Sequence, residues 1–211
     1  MAYKIVYKTV VVILGLCVIP IAIFTPMFQI VGQVTIADNY IGEHVSIHDI
    51  YQLFFSKNST FEGFKDYKMT DEVRATMPWL ITSGAFLGAA LLLGIAMAVV
   101  AIVCRSKLPV LFLSIAACMA VFGLFRSFKA FAAPYLDGTI NVARLGFMEE
   151  GVLEALVSAF VKIVTLQISS AGFLMFGAFA AVFLWTGAFL LVEWGEPDEK
   201  KSVKKHKHSA A

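Results

Sequence analysis

Four long stretches without Asp, Glu, Lys or Arg constrain this chain more than any other feature. They cover residues 9–37, 75–104, 108–125 and 163–192, which together make 107 of the 211 residues. About 20 apolar residues cross the roughly 30 Å hydrocarbon core of a bilayer as an α-helix. A backbone in lipid must satisfy its own N–H and C=O groups, and segments such as 87–103 lack the alternating pattern of barrel strands. The sequence therefore predicts four membrane-spanning helices.

The composition supports a membrane protein and excludes several other classes. Hydrophobic residues make up 59% of the chain and charged residues 15%, whereas soluble domains have about 45–50% and about 25%. This excludes a disordered tail, a nucleic-acid-binding protein and a secreted disulfide scaffold. Cys17, Cys104 and Cys118 lie in or beside the uncharged runs and form no C-x-x-C motif. We therefore interpret them as small apolar side chains.

The positions of the basic residues predict the orientation. Lys4 and Lys8 precede the first run, Arg105 and Lys107 lie between the second and third, and five lysines follow the fourth at 200–207. Short cytoplasmic segments carry an excess of Lys and Arg. Both termini are therefore predicted to be cytoplasmic, in a multi-pass protein of the plasma or cell membrane. The first run also fits a signal peptide, but no Ala-x-Ala-like site follows it, which favours an uncleaved span.

The predicted fold class is an all-α membrane protein. It is a four-transmembrane-helix bundle with a large first extracytoplasmic segment and a smaller second one, each with an amphipathic helix. The predicted boundaries are 1–8 for the cytoplasmic N-terminus, 9–25 for the first span, 26–76 for the first outer segment, 77–103 for the second span, 104–107 for a cytoplasmic turn, 108–125 for the third span, 126–162 for the second outer segment, 163–193 for the fourth span and 194–211 for a basic cytoplasmic tail.

The first outer segment contains several local signals. Residues 33–36 alternate between polar and apolar, as in a short strand, and residues 38–42 are typical of a turn. Ser46 and Asp49 resemble a capping box with Asp in place of Glu, which predicts the start of an amphipathic helix. The apolar face of this helix would contain Ile47, Ile50, Tyr51, Phe54 and Phe55.

The second outer segment carries the candidate charge network of the outer interface. Arg126 and Lys129 follow the third run, and Glu149, Glu150 and Glu154 come later in the segment. Ion pairing between these groups would fix the outer ends of the helices; the alternative is a vestibule for an ion or a substrate. Helical spacing predicts a second amphipathic helix that leads into the fourth span, with Leu153, Leu156, Val157, Phe160, Val161 and Val164 on one face and Glu150, Glu154, Ser158 and Lys162 on the other.

Pairs of small residues one helical turn apart predict close helix packing, because they let backbones approach in lipid. These contacts form either within the bundle or with another chain. The candidate packing residues are Gly84, Gly88, Gly94, Ala98, Gly177 and Ala181.

The sequence assigns no catalytic, cofactor-binding or metal-binding residue. His44 and His48 stand four residues apart, but the spacing fixes no third ligand. There is no phosphate-binding glycine loop and no Gly-x-Ser-x-Gly motif. The layout is similar to the claudin-like and tetraspan groups in topology only. The paired cysteines and the Gly-Leu-Trp of the claudin-type first loop are absent between residues 26 and 77, as is the tetraspanin Cys-Cys-Gly.

These observations favour a small non-enzymatic scaffold or accessory subunit, with its extracytoplasmic face and small-residue helix faces used for protein–protein contact. Its expected partners are the lipid bilayer and either another membrane protein or further copies of itself, and no nucleic acid is expected. The alternative is a transporter or channel subunit with a charged outer vestibule. A membrane enzyme acting on lipid is a third interpretation, for which no nucleophile is apparent.

Overall fold

The computed structural model describes residues 2–34, 39–49, 71–140 and 161–194. The prediction of four helices that are long and apolar enough to cross a membrane is confirmed. Three strands accompany them. In chain order the elements are α1 (Ala2–Phe24), β1 (Phe28–Val34), β2 (Asn39–Val45), α2 (Asp71–Val103), α3 (Leu108–Leu136), β3 (Val161–Ile168) and α4 (Ser170–Trp194).

The four helices form an antiparallel bundle. Helix α1 packs against α2 and α4, and α3 packs against the same two helices from the other side. The ends of α1 and α3 therefore share one end of the bundle with the starts of α2 and α4. We call this the sheet end, because the strands adjoin these termini. The opposite end, which carries the short connection 104–107 between α2 and α3, is the turn end.

The core is built from side chains that recur every three or four residues along each helix. Val11 and Val18 of α1, Met97 of α2, Val121 of α3 and Phe179 of α4 are each 0% exposed. The outward faces of the helices are apolar as well, with Ile81, Leu92, Phe112 and Leu184 all exposed. A soluble bundle would place polar groups there, so these outward faces are suited to lipid.

Helix α3 continues to Leu136, beyond the predicted limit of the third span at residue 125. Ser127, Phe128, Ala132 and Tyr135 are buried, so the last turns still pack on neighbouring elements and remain helical.

The helix ends in a turn at Asp137, Gly138 and Thr139. Gly138 has a φ of +81°, a left-handed conformation that glycine adopts without strain. The Thr139 N–H donates to Asp137 Oδ1 at 2.9 Å, and hydrogen bonding from Thr139 lowers the pKa of the Asp137 carboxyl.

A three-stranded antiparallel sheet corrects the all-α prediction. The strand order is β2-β1-β3, with Phe28 opposite both Val45 and Ile168. The sheet thus joins the segment that follows α1 to the segment that precedes α4. Strand β1 contains the first half of the predicted strand at 33–36, whose second half lies outside the described residues.

Two local predictions at this sheet were wrong. Residues 39–42 belong to strand β2 and not to a turn, and Gly42 pairs with Val31. Residues 161–168 form strand β3, so the fourth helix begins at Ser170 and not at 163. The sequence of β3 fits both a helix face and a strand, and pairing with β1 selects the strand.

The capping box at Ser46 is confirmed. The Ser46 N–H and Oγ–H both donate to Asp49 Oδ2, at 2.8 and 2.6 Å, and the Asp49 N–H donates to Ser46 Oγ at 3.1 Å. Hydrogen bonding from the Ser46 side chain lowers the pKa of Asp49. Residues 47–49 are helical, and the rest of the predicted amphipathic helix lies outside the described residues.

Candidate functional site

An open groove with a volume of about 910 Å³ runs between helices α2 and α3 on the outside of the bundle. We call it the α2/α3 groove. Its α2 side includes the large side chains of Trp79 and Phe86. Its α3 side combines the small residues Ala116, Ala120, Gly123, Ala130 and Ala133 with the larger, exposed side chains of Met119 and Phe122. The groove is therefore apolar, and along α3 a second backbone can come close.

Close contacts between α2 and α3 fix the walls of this groove. A Cβ at Gly123 would lie 2.6 Å from Phe86 Cε1, so the glycine makes room for the ring. The hydroxyl oxygens of Ser83 and Ser127 lie 2.9 Å apart, and both side chains are buried. Hydrogen bonds between helices in lipid contribute about 0.6–2 kcal/mol each.

A second interhelical hydrogen bond lies nearer the sheet end. Thr76 Oγ1 and the Tyr135 hydroxyl oxygen are 3.2 Å apart, and both side chains are buried. The first turns of α2 and the last turns of α3 are thus joined beyond the groove as well as beside it.

Two cationic side chains line the groove toward the sheet end. Arg126 and Lys129 stand three residues apart on α3 and are both exposed. Within the ranges that the structure describes, neither forms an ion pair. Their predicted partners, Glu149, Glu150 and Glu154, lie outside the described residues, so the charge network remains a prediction.

Gly94 lies at the crossing of α1 and α2. A Cβ at Gly94 would lie 2.7 Å from the carbonyl oxygen of Gly15, and a Cβ at Gly15 would lie 2.8 Å from that of Gly94. Ala98, one turn further along, is buried. Sequence reasoning missed Gly15, because it stands between two leucines with no small residue one turn away.

The other candidate packing residues face away from their neighbours. No heavy atom lies within 4 Å of a Cβ built at Gly84, Gly88 or Gly177. Gly84, Gly177 and Ala181 are exposed, and Gly88 is half-buried. Among the described elements, a side chain at any of these three glycines would therefore meet no neighbouring helix.

The junction of α1 and β1 ties the sheet to the bundle. Met27 is 0% exposed; its N–H donates to Val45 O at 2.9 Å, and its carbonyl accepts from the Ser169 N–H at 2.8 Å. The Pro26 carbonyl accepts from the Ala171 N–H at 3.0 Å. Amide groups at the start of α4, which have no acceptor within the helix, are thereby satisfied.

The two histidines near the sheet have separate contacts. His44 Nδ1 lies 3.2 Å from Ser169 Oγ, whereas the His48 ring lies 5.5 Å from the ring of Phe24. His44 belongs to β2 and His48 to the short helical turn that Ser46 begins, so the structure does not bring them together as a pair of ligands.

At the turn end, α1, α3 and α4 meet around a buried lysine. Lys107 is 8% exposed, and its Nζ lies 5.2 Å from the ring centroids of both Tyr7 and Phe189. The hydroxyl oxygen of Tyr7 lies 3.4 Å from Thr186 Oγ1. From the sequence we interpreted Lys107 only as a marker of orientation. The signal for a packing role was Tyr7, an aromatic residue between Lys4 and Lys8 that can contact a lysine side chain.

Comparison of the chain with protein-family models, with curated proteins and with solved structures finds no match.

Proposed function

We propose that this chain is a non-enzymatic membrane scaffold or accessory subunit whose α2/α3 groove binds a transmembrane helix of a partner protein. The observation that carries the proposal is the groove itself, which is largely apolar, faces away from the bundle and has five Ala or Gly residues among those that line it along α3. We also propose that the protein lies in the cell membrane with the sheet end outside and both termini in the cytoplasm, on the basis of the Lys and Arg distribution.

The dimensions of the groove favour a helix as its occupant. The α3 residues that line it run from Ala116 to Ala133, which corresponds to about 26 Å of helix at 1.5 Å per residue. This is close to the roughly 30 Å hydrocarbon thickness of a bilayer. Without a hydrophobic driving force in lipid, helices associate through close packing and hydrogen bonds, and small residues permit the required approach.

The cations at the sheet end indicate which charge the partner helix should carry. Arg126 and Lys129 are exposed beside the groove, and charges near membrane depth are stabilised by opposite charges. A partner helix with Asp or Glu at its outer end would fill the apolar part and pair with these two residues.

The bundle interior supports this function better than the alternative. Phe179 and Val121 are fully buried in the core, so the described helices fill their own interface with apolar side chains. A transporter or channel subunit with a charged outer vestibule stays an alternative proposal, because Glu149, Glu150 and Glu154 lie outside the described residues.

Photocrosslinking tests the groove directly. A benzoylphenylalanine at Met119, which is exposed and lines the groove, should form an adduct with one membrane protein in the native membrane. Substituting Ala116→Trp fills the groove, and Arg126→Glu reverses one of its charges. We expect each change to reduce the adduct about tenfold, a loss of about 1.4 kcal/mol of binding free energy.

The matched control is Ala181→Trp, which places the same side chain on an exposed position of α4 outside the groove. It should leave the adduct at its original level. Adducts with lipid alone would contradict the proposal, and so would equal losses in Ala116→Trp and Ala181→Trp. An adduct with twice the mass of the chain would show that the occupant is a second copy.

A further inference from the structure

We propose that a pocket at the turn end binds a phosphate group, carried by the headgroup of an anionic lipid or free in solution. The pocket lies between the start of α1 and the connection between α2 and α3, and its volume is about 280 Å³. Four of its lining residues are cationic, namely Lys4, Lys8, Arg105 and Lys107. Among the residues that the structure describes, no Asp or Glu lines it.

The fold brings these four charges together from separate segments. Lys4 and Lys8 lie one helical turn apart on α1 and therefore on one face. Arg105 and Lys107 follow the last turn of α2, which packs against that face. Four like charges around one small cavity repel each other, and a bound anion relieves this repulsion.

Two of the cations are held in place by the surrounding helices. Lys107 is almost fully buried, with Nζ over the rings of Tyr7 and Phe189. Lys8 Nζ donates to the Ile102 carbonyl at 2.6 Å. Charges that are already positioned lose less conformational freedom when a ligand binds. Lys4 and Arg105 are exposed and can move onto the ligand from the pocket rim.

A phosphate monoester fits this set of donors better than a carboxylate does. It carries about −1.5 to −2 charges near pH 7 and offers three strong acceptor oxygens. Ammonium and guanidinium groups form charge-assisted hydrogen bonds to such oxygens. The Ser106 hydroxyl adds a neutral donor to the pocket lining.

The position of the pocket favours a lipid as the source of the phosphate. It lies where apolar helices begin and end, and Ile5 and Val103 nearby are 65% and 74% exposed. Acyl chains would contact such side chains while the headgroup enters the pocket. Basic pockets between transmembrane helices on the cytoplasmic side are a recurrent form of lipid recognition.

The C-terminal segment also carries lysines that can attract an anionic lipid. Helix α4 ends at the turn end, and Glu196, Asp198 and Glu199 follow it in the sequence together with the lysines at 200–207. A test has to separate a defined pocket from diffuse attraction to this tail, and a control pair of lysines in the tail does so.

The experiment titrates the purified full-length protein with dioctanoyl phosphatidic acid, dioctanoyl phosphatidylcholine and inorganic phosphate, with affinities measured by native mass spectrometry. Phosphatidic acid should bind at least tenfold more tightly than phosphatidylcholine, which has no net charge. Lys4→Gln combined with Arg105→Gln should weaken phosphatidic acid binding about tenfold or more, since each substitution removes a positive charge that would attract the headgroup.

The matched control is Lys204→Gln combined with Lys205→Gln, which removes the same number of charges from the tail. It should change the affinity less than twofold. Inorganic phosphate that binds as tightly as phosphatidic acid would assign the pocket to a soluble phosphate compound, and weaker binding would assign it to lipid. Equal affinities for the two lipids, or equal losses in the two paired variants, would overturn the proposal. The comparison of the two lipids uses the unsubstituted chain, so it decides the question even where a variant fails to fold.

Discussion

Replacing Gly94 with leucine should destabilise the bundle by about 3 kcal/mol, the upper part of the range for overpacked cores. A Cβ at this position would lie 2.7 Å from the backbone oxygen of Gly15. No side-chain rotation can relieve an overlap with a backbone atom, so α1 and α2 must move apart. That movement also disturbs Phe179, whose Cε1 lies 3.7 Å from the same Cβ position.

The measurement is the free energy of unfolding in detergent micelles, obtained from SDS titration of the purified protein. Gly88→Leu is the control, because it adds the same side chain to the same helix where no heavy atom lies within 4 Å of the new Cβ. Equal destabilisation by Gly94→Leu and Gly88→Leu would show that the α1–α2 contact does not hold the bundle together.

Truncating Phe179 to alanine should lower the free energy of unfolding by about 3 kcal/mol. Its ring is 0% exposed and belongs to the central apolar cluster. In lipid the loss comes chiefly from the void, since the atoms that surrounded the ring lose their dispersion contacts. The apolar transfer term is small here, because lipid tails are as apolar as the protein core.

Phe176→Ala provides the comparison on the same helix. Phe176 is 43% exposed on α4, so lipid can occupy the space that its truncation opens. We expect a loss of less than about 1 kcal/mol there, measured by the same titration. A loss at Phe176 as large as that at Phe179 would mean that the outward face of α4 is buried against something else.

The helical part of the fold could be predicted because the requirement that lipid imposes on the backbone can be recognised within a single segment of the sequence. A backbone in hydrocarbon must pair with itself, so an uncharged run of sufficient length is read as a helix without knowledge of its neighbours. The capping box was predictable because it is also local: Ser46 and Asp49 are three residues apart and form hydrogen bonds with each other.

The sheet could not be predicted to the same degree because its third strand, β3, is far from β1 in the sequence. Phe28 pairs with Ile168, which lies 140 residues later in the chain, and nothing near either residue in the sequence specifies the other. In β3, alternate positions and positions three or four apart are both apolar. Only the pairing with β1 distinguishes a strand from a helix there.

The candidate sites depend on helix rotation, which a single sequence does not contain. The small residues at Gly84 and Gly94 resemble each other in the sequence, yet one is exposed and the other lies against Gly15. Likewise, the pocket at the turn end exists because α1 places Lys4 and Lys8 beside Arg105 and Lys107. Sequence reasoning had grouped these residues only by the side of the membrane.

The chain has four helices that can cross a membrane, and we propose that both termini lie on the cytoplasmic side. Single cysteines in a variant without native cysteines test it, with Glu43→Cys and Thr139→Cys at the sheet end, Ser106→Cys at the turn end and Ser202→Cys in the tail. In intact cells a membrane-impermeant maleimide should label positions 43 and 139, and it should label 106 and 202 only after permeabilisation. Labelling of 43 and 139 from opposite sides, or of 106 and 202 in intact cells, would contradict the account.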